Sequence, residues 1–291
     1  MFLPFNVGDV TVQRIVEQVV PFSAPRDFLP DLTEELLEAN RNWMEPTDLD
    51  PETGKLILCI QSYLVRTPHH TVLIDTCVGN DKNNPRFPAW NHRQDETWLA
   101  NLAAAGARPQ DIDYVMCTHM HVDHVGWNTR LQNGRWVPTF PNARYVFAER
   151  EYAHWNAAHA AQPIPVYAES VLPVIEAGRA DMVADTHALG DHLRLTPTPG
   201  HTPGHVAVEL GRGKTEAVFT GDLIHTRLQA RYPELNMRAD ANPAQAAATR
   251  RAFLERHCDT ETLCCTSHFP SPSTMRVKRW GEGFKCEMVG K

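Results

Sequence analysis

Residues 117–128 read CTHMHVDHVGWN, and three histidines and one aspartate crowd into six of those positions: His119, His121, Asp123 and His124. The run before them, YVMCT (114–118), is short, apolar and led in by aspartates, the pattern of a buried strand. Residues at i and i+2 in extended backbone point to the same side, so His119 and His121 leave the strand end together. Asp123 and His124 are expected to begin a helix. A strand end and a helix start then aim four side chains at one small volume. Neutral imidazole and carboxylate suit zinc and similar divalent ions. A single histidine in such a place is more often structural; this spacing after an apolar strand points to metal.

Three more segments repeat the arrangement. TPTPGHTPGH (196–205) places His201 in a Gly/Pro-rich turn after a strand-like run. VFTGDLIH (218–225) does the same for Asp222, and LCCTSHFP (263–270) for His268. Asp75, in VLIDTC (72–77), also ends an apolar strand, ahead of the cluster.

The rest of the chain sets the frame. It has 291 residues, of which 42% are hydrophobic, enough for a substantial core. No apolar run approaches the roughly 20 residues that span a bilayer. The start, MFLPFNVGDVTV, has no basic segment followed by a long apolar one, so no signal peptide is read and a cytoplasmic location is expected. Seven cysteines with no CxxC pair fit reduced, buried thiols better than a disulfide framework or a thiolate zinc knuckle. The net charge of −7, without any basic tract, speaks against nucleic-acid binding.

Residues 7–20 read as a strand or strand pair, and 56–79 as a hairpin turning at TPHH. Helices are expected near 32–40, with Asp31 or Thr33 as cap, at 96–105, at 150–160, and once more within 161–180. A further helix is expected at 243–257, with Asn242 as N-cap and Pro243 first. The end, MRVKRWGEGFKCEM, reads as a hairpin turning at 281–283. Strands and helices alternate throughout, which predicts a layered α/β fold. Residues 21–54 mix prolines and aromatics with one short helix and form an excursion, a lid or a subunit interface, from a single domain spanning 1–291.

These motifs resemble those of the metallo-β-lactamase-fold hydrolases. The matching residues are His119-x-His121-x-Asp123-His124, then His201, Asp222 and His268, in the family's order and approximate spacing. The resemblance implies an αβ/βα sandwich of two mixed β-sheets flanked by helices, with two metals at one sheet edge. By carry-over, His119, His121 and His201 hold the first metal, Asp123, His124 and His268 the second, and Asp222 bridges both. Zinc is the first expectation for the two divalent ions, with Mn²⁺, Fe²⁺ or Co²⁺ as alternatives. A dinuclear site lowers the pKa of bound water to about 7 and stabilises a developing oxyanion, so a bridging hydroxide does the work of a Ser or Cys nucleophile. Asp75 is expected to hydrogen-bond near the ligand histidines, and His205 to be structural.

The resemblance also narrows the branch. Flavodiiron reductases of this fold carry Glu where this chain has His121. The β-lactamases that use a zinc-binding Cys carry it where this chain has Asp222. Glyoxalase II continues into a helical domain after its last ligand, and the stretch after His268 is short. The RNA-processing nucleases add a further domain or arm and a basic surface. What remains is the lactonase and organophosphate-hydrolase branch. Its acyl-homoserine lactonases have a Tyr three residues after the bridging Asp; here that residue is His225, as in phosphotriesterase-like members. Asp123 and His225 are the expected proton-transfer groups. Trp127, Phe269, Trp43 and Phe28 are expected to line a pocket for an apolar acyl or aryl group. The implied function is opening of a lactone or cleavage of a related ester. Phosphotriester or β-lactam hydrolysis on the same site is the alternative, and a binding module with structural metals a weaker one. The expected partner is a small-molecule substrate, with no nucleic acid and no membrane, and family analogy favours a homodimer.

Overall fold

A computed structural model describes residues 3–290. The chain forms two compact units, one of residues up to Glu17 with Ile60–His192, the other of Gln18–Cys59 with the residues from Leu193 onward. The chain carries two large mixed sheets, so the predicted α/β class with two mixed sheets is what it builds.

In the first sheet the strands are β1 (Phe5–Val7), β2 (Val10–Ser23), β3 (Leu56–Arg66), β4 (Thr71–Ile74) and β5 (Tyr114–Met116). After them, β6 (Thr129–Gln132) and β7 (Arg135–Pro138) pair as a separate hairpin. β8 (Arg144–Ala148) and β9 (Ala180–Val183) complete the order β1-β2-β3-β4-β5-β8-β9. The chain passes between the units inside β2 and inside β3. β4, β5, β8 and β9 are mutually parallel. The first three of these are short apolar runs of the kind that sheets covered on both faces require.

The second sheet runs β10 (Ala188–Leu189), β11 (Leu193–Pro197), β12 (Val206–Leu210), β13 (Ala217–Phe219), β14 (Leu263–Cys265), β15 (Thr274–Trp280) and β16 (Gly283–Met288), in sequential order. β11 and β12 are antiparallel, as are β12 and β13, while β13 and β14 are parallel. It follows that β11, β13 and β14 point the same way. His201, Asp222 and His268, which follow those three strands, therefore all leave the same edge of their sheet. By the same logic Asp75 and His119, after the parallel β4 and β5, leave one edge of theirs.

The helices are α1 (Pro25–Phe28), α2 (Glu34–Met44), α3 (Thr97–Ala104), α4 (Glu149–Ala161), α5 (Pro165–Ser170), α6 (Leu172–Glu176), α7 (Arg227–Arg231) and α8 (Pro243–His257). Thr33 caps α2 by accepting the Leu36 N–H at 3.2 Å, and Asn242 caps α8 by accepting that of Gln245 at 3.1 Å. The excursion at 21–54 is not loose. Phe28, Leu29, Leu32, Leu37 and Met44 form one buried cluster with Leu228 and Leu235.

One local expectation is corrected. No helix starts at Asp123; residues 122–124 form a turn, and a single 3₁₀ turn follows at Gly126–Asn128. The Gly126 N–H bonds to the Cys77 carbonyl at 2.7 Å, and the Trp127 N–H to that of Thr76 at 2.9 Å. Backbone donors given to a neighbouring loop cannot close an i→i−4 ladder. Gly126 also lies so close to that loop that a Cβ on it would sit 1.8 Å from the Val78 carbonyl oxygen.

Lys82 is buried in the same unit. Its Nζ donates to Thr129 Oγ1 at 2.6 Å and to the Glu169 carbonyl at 3.3 Å, and lies 3.6 Å from the centroid of the Trp136 ring. Burial pushes its pKa down to about 7, against the pull of Glu169 and Asp81. Between that value and the ordinary lysine range the unfolded chain holds the extra proton. This contribution to stability is therefore complete above about pH 10.5 and is lost as pH falls towards 7. Melting temperatures of wild type and Lys82→Met across pH 7–10 check this: the wild type should gain on the variant as pH rises, and parallel curves would refute it.

Candidate metal centre

In the first unit the turn after β5 gathers three imidazoles. The His119 ring lies 4.6 Å from that of His121 and 4.1 Å from that of His124. Asp75, in the left-handed region at φ 59°, turns its carboxylate back beneath them. Its Oδ1 accepts the Thr118 N–H at 2.7 Å and its Oδ2 the Thr118 hydroxyl at 2.8 Å. The same Oδ2 is 2.8 Å from His124 Nδ1. Because the Thr118 hydroxyl gives its proton to Asp75, its oxygen accepts from His119 Nδ1, 3.1 Å away. Asp123 stands at the edge of this group, its carboxylate 3.9 Å from His124 Nε2.

In the second unit Asp222 is the hub. Its Oδ1 lies 2.9 Å from His268 Nε2, and its Oδ2 lies 3.3 Å from His201 Nε2 and 3.2 Å from His225 Nε2. Ligand atoms of Asp222, His225 and His268 all fall within 4.8 Å of one another. His268 Nδ1 donates to the Cys59 carbonyl at 3.0 Å, and His201 Nδ1 to Asp240 Oδ1 at 2.8 Å. The Asp222 N–H donates to His205 Nε2 at 2.9 Å, which makes His205 a support for the turn.

Four of the expected ligand histidines thus share one feature. His119, His124, His201 and His268 each have an oxygen acceptor on Nδ1. In the neutral ring the proton is held there and Nε2 is left as the ligand atom, the tautomer that ligating histidines adopt. His201 has carboxylates against both nitrogens. Burial opposes its charged form, but Asp222 and Asp240 push its pKa up to about 9. A field that draws a proton between an imidazole and a carboxylate also draws a cation. Imidazole nitrogen and carboxylate oxygen are the donor chemistry of zinc and its neighbours. The residues fit a divalent metal.

His225 is buried and lies parallel to His268, with ring centroids 5.4 Å apart at 2°. Burial lowers its pKa, so it is neutral at ordinary pH. Among the described residues its Nδ1 has no hydrogen-bond partner. Phe28 meets the His225 ring edge-on at 5.5 Å. Of the other expected pocket aromatics, Trp127 is buried, stacked on Trp98 at 5.5 Å, with its Nε1–H donated to Glu17 at 2.8 Å. Phe269 packs inside the core of its unit beside Val218 and Met275. Trp43 is partly exposed, donates to Asn40 and lies edge-on to Trp280.

Sequence reasoning missed three buried residues that hold this machinery. Glu151 accepts the Met120 N–H at 3.0 Å and the Trp155 indole N–H at 2.7 Å, and the Trp155 ring lies edge-on to His121 at 5.5 Å. Asp240 and Arg250 are the others. None belongs to a local motif, and each acts on a residue far away in the chain.

The chain belongs to the metallo-beta-lactamase superfamily, whose model matches residues 60–268. It is a hydrolase of that superfamily. A probable metallo-hydrolase of Mycobacterium tuberculosis is 27% identical over 239 residues, covering 75% of this chain and 76% of that protein. An N-acyl homoserine lactonase of a Bacillus species is 27% identical over 186 residues, covering 60% and 68%. Among solved structures, AidC, a dizinc quorum-quenching lactonase in complex with the product N-hexanoyl-L-homoserine, superposes with a TM-score of 0.82. That similarity, at 22% identity, covers 100% of this chain and 98% of that one, and it establishes the fold. No helix among the described residues is long and apolar enough to cross a membrane.

Proposed function

We propose that the chain is a dinuclear metal hydrolase that opens a lactone or cleaves a related carboxylic ester. The observation that carries this reading is the shared Nδ1 pattern of His119, His124, His201 and His268. In it, His119, His121 and His201 would hold one ion, Asp123, His124 and His268 would hold the other, and Asp222 would serve both. Two divalent ions, zinc foremost, supply an activated water at neutral pH and a positive field for the oxyanion. Family membership supports the ligand assignment, and the lactonase relatives support the substrate class.

This chain's own residues orient the ester and move the proton. Addition of water to the acyl carbon breaks the bond to the ring oxygen, and that oxygen takes up a proton. Asp123, at the edge of its cluster, carries the proton from the attacking water to the leaving oxygen. His225, neutral with its Nε2–H on Asp222, presents Nδ1 as an open acceptor and takes a hydrogen bond or proton during turnover, at the place where lactonases of the family have a Tyr. Phe28 covers the far side of His225 with an apolar edge suited to an acyl chain. Trp43, farther along the same excursion, would extend that apolar surface, and the excursion would serve as a lid. A cytoplasmic, homodimeric enzyme remains the expectation for its setting.

The test is elemental analysis of protein purified without added metal, followed by rates on an acyl lactone, an aryl ester, a phosphotriester and a cephalosporin. Two ions per chain and fastest turnover of the lactone or ester are expected. A chelator should remove activity and Zn²⁺ restore it. Fastest turnover of the phosphotriester, which the histidine at 225 favours over the tyrosine of lactonases, would instead identify an organophosphate hydrolase. Full activity without metal would defeat both.

A further inference from the structure

We infer that Asp240, clamped by Arg250, is a positioning residue that sets one metal site by fixing the His201 ring. The inference rests on the assignment of His201 as a metal ligand.

His201 sits on a Gly/Pro-rich loop that would otherwise leave its ring free to turn. The Asp240 carboxylate divides its oxygens between two tasks. Oδ1 takes the His201 Nδ1–H at 2.8 Å, and Oδ2 takes the Met237 N–H at 2.9 Å. Asp240 itself is buried, and the Arg250 guanidinium reaches it, with Nη2 3.5 Å from Oδ2. A buried guanidinium is held only if its other donors are satisfied. Here Nε donates to the Leu223 carbonyl at 2.9 Å, and Nη1 to those of Pro233 and Leu235 at 2.7 and 2.9 Å. Leu223 adjoins Asp222. One side chain of α8 therefore braces the turn that carries Asp222 and, through Asp240, the ring of His201.

The backbone is held against the same helix. The Ala241 N–H bonds to the His201 carbonyl at 3.0 Å and that of Asn242 to the Gly200 carbonyl at 2.9 Å. A Cβ on Gly200, at φ +137°, would lie 2.4 Å from the Cα of Ala246, so the loop rests directly on the first turns of α8. Ring and backbone of His201 are thus located from one rigid element. Loss of the carboxylate frees the ring while the backbone stays in place.

The experiment compares wild type, Asp240→Asn and Asp240→Ala by competition with a chromophoric chelator, by the visible spectrum of the Co²⁺-loaded protein, and by kcat and KM on whichever substrate the wild type turns over. The alanine variant should lose 10–100-fold in affinity for one of two ions, the range found when such a partner of a ligand histidine is removed, with the other ion unaffected. Its Co²⁺ bands should shift, and kcat should fall more than KM rises. Asn has the volume of Asp and keeps one acceptor oxygen, so Asp240→Asn should fold where alanine fails and lose less affinity. A lowered melting temperature with wild-type metal affinity and an unchanged Co²⁺ spectrum in both variants would show a purely structural role and overturn the inference. Wild-type protein that binds no metal would overturn both it and the assignment of His201.

Discussion

Replacing Asp222 by alanine is expected to reduce turnover by about 10³-fold or more while the chain still folds. The reduction reflects the cost of removing a preorganised group at a centre where charge develops. The carboxylate is buried and its oxygens face His201 and His225 on one side and His268 on the other. The fold should survive because the turn is held by other contacts, the Asp222 N–H on His205 and the Leu223 carbonyl on Arg250. Metal content should fall below one ion per chain by elemental analysis, with far-ultraviolet circular dichroism unchanged. His121→Ala should behave alike from the other ligand set. A variant of either kind working at the wild-type rate would end the case for a dinuclear centre.

Glu17→Ala is expected to have the largest effect on stability. Glu17, in β2, accepts the Val78 N–H at 3.0 Å, the Gly79 N–H at 3.2 Å and the Trp127 indole N–H at 2.8 Å. Arg93 faces it at 3.3 Å. Burial raises the pKa of Glu17, while Arg93 and the three donors favour the anion. Truncation would leave three buried donors without their acceptor and take from the nearly buried Arg93 guanidinium one of its two carboxylates, Asp95 being the other. Breaking a buried pair of this kind costs about 3–5 kcal/mol. For a chain of this size that corresponds to a fall in Tm on the order of 10 °C. Calorimetry of wild type and variant measures it, and a shift of only a degree or two would show that the donors find other acceptors. The histidines proposed as ligands beyond the loop should loosen in parallel, since Cys77 and Thr76 in that loop hold Gly126 and Trp127.

What could be read from the chain alone was what its local windows encode. The start of α8 was legible because Asn242 and Pro243 are a start signal that works through the next three residues. Asp222 and His268 stood out because each follows an apolar run, and strand ends are where sheet proteins set out polar groups. The helix expected at Asp123 failed because its donors go to a loop near residue 77. Nothing within a few residues of Gly126 announces that pairing. Asp240 escaped notice for the same reason, as its partner His201 lies 39 positions away, and Glu17 reaches Trp127 across 110. Trp127 was read from its position beside the cluster, yet its ring lies against Trp98 inside the unit.

The meeting of Gly79 and Gly126 bears on how variation in this chain should be interpreted. A methyl group on Gly79 would lie 2.6 Å from the Gly126 carbonyl carbon, and one on Gly126 would collide with Val78. Neither glycine offers a donor atom to a metal or a functional group to a substrate. In a saturation screen scored by activity, both would nonetheless be as intolerant as the ligand histidines. A screen scored by the amount of folded protein would separate the two kinds of position. The glycines would fail both, whereas Asp222 would fail only the first.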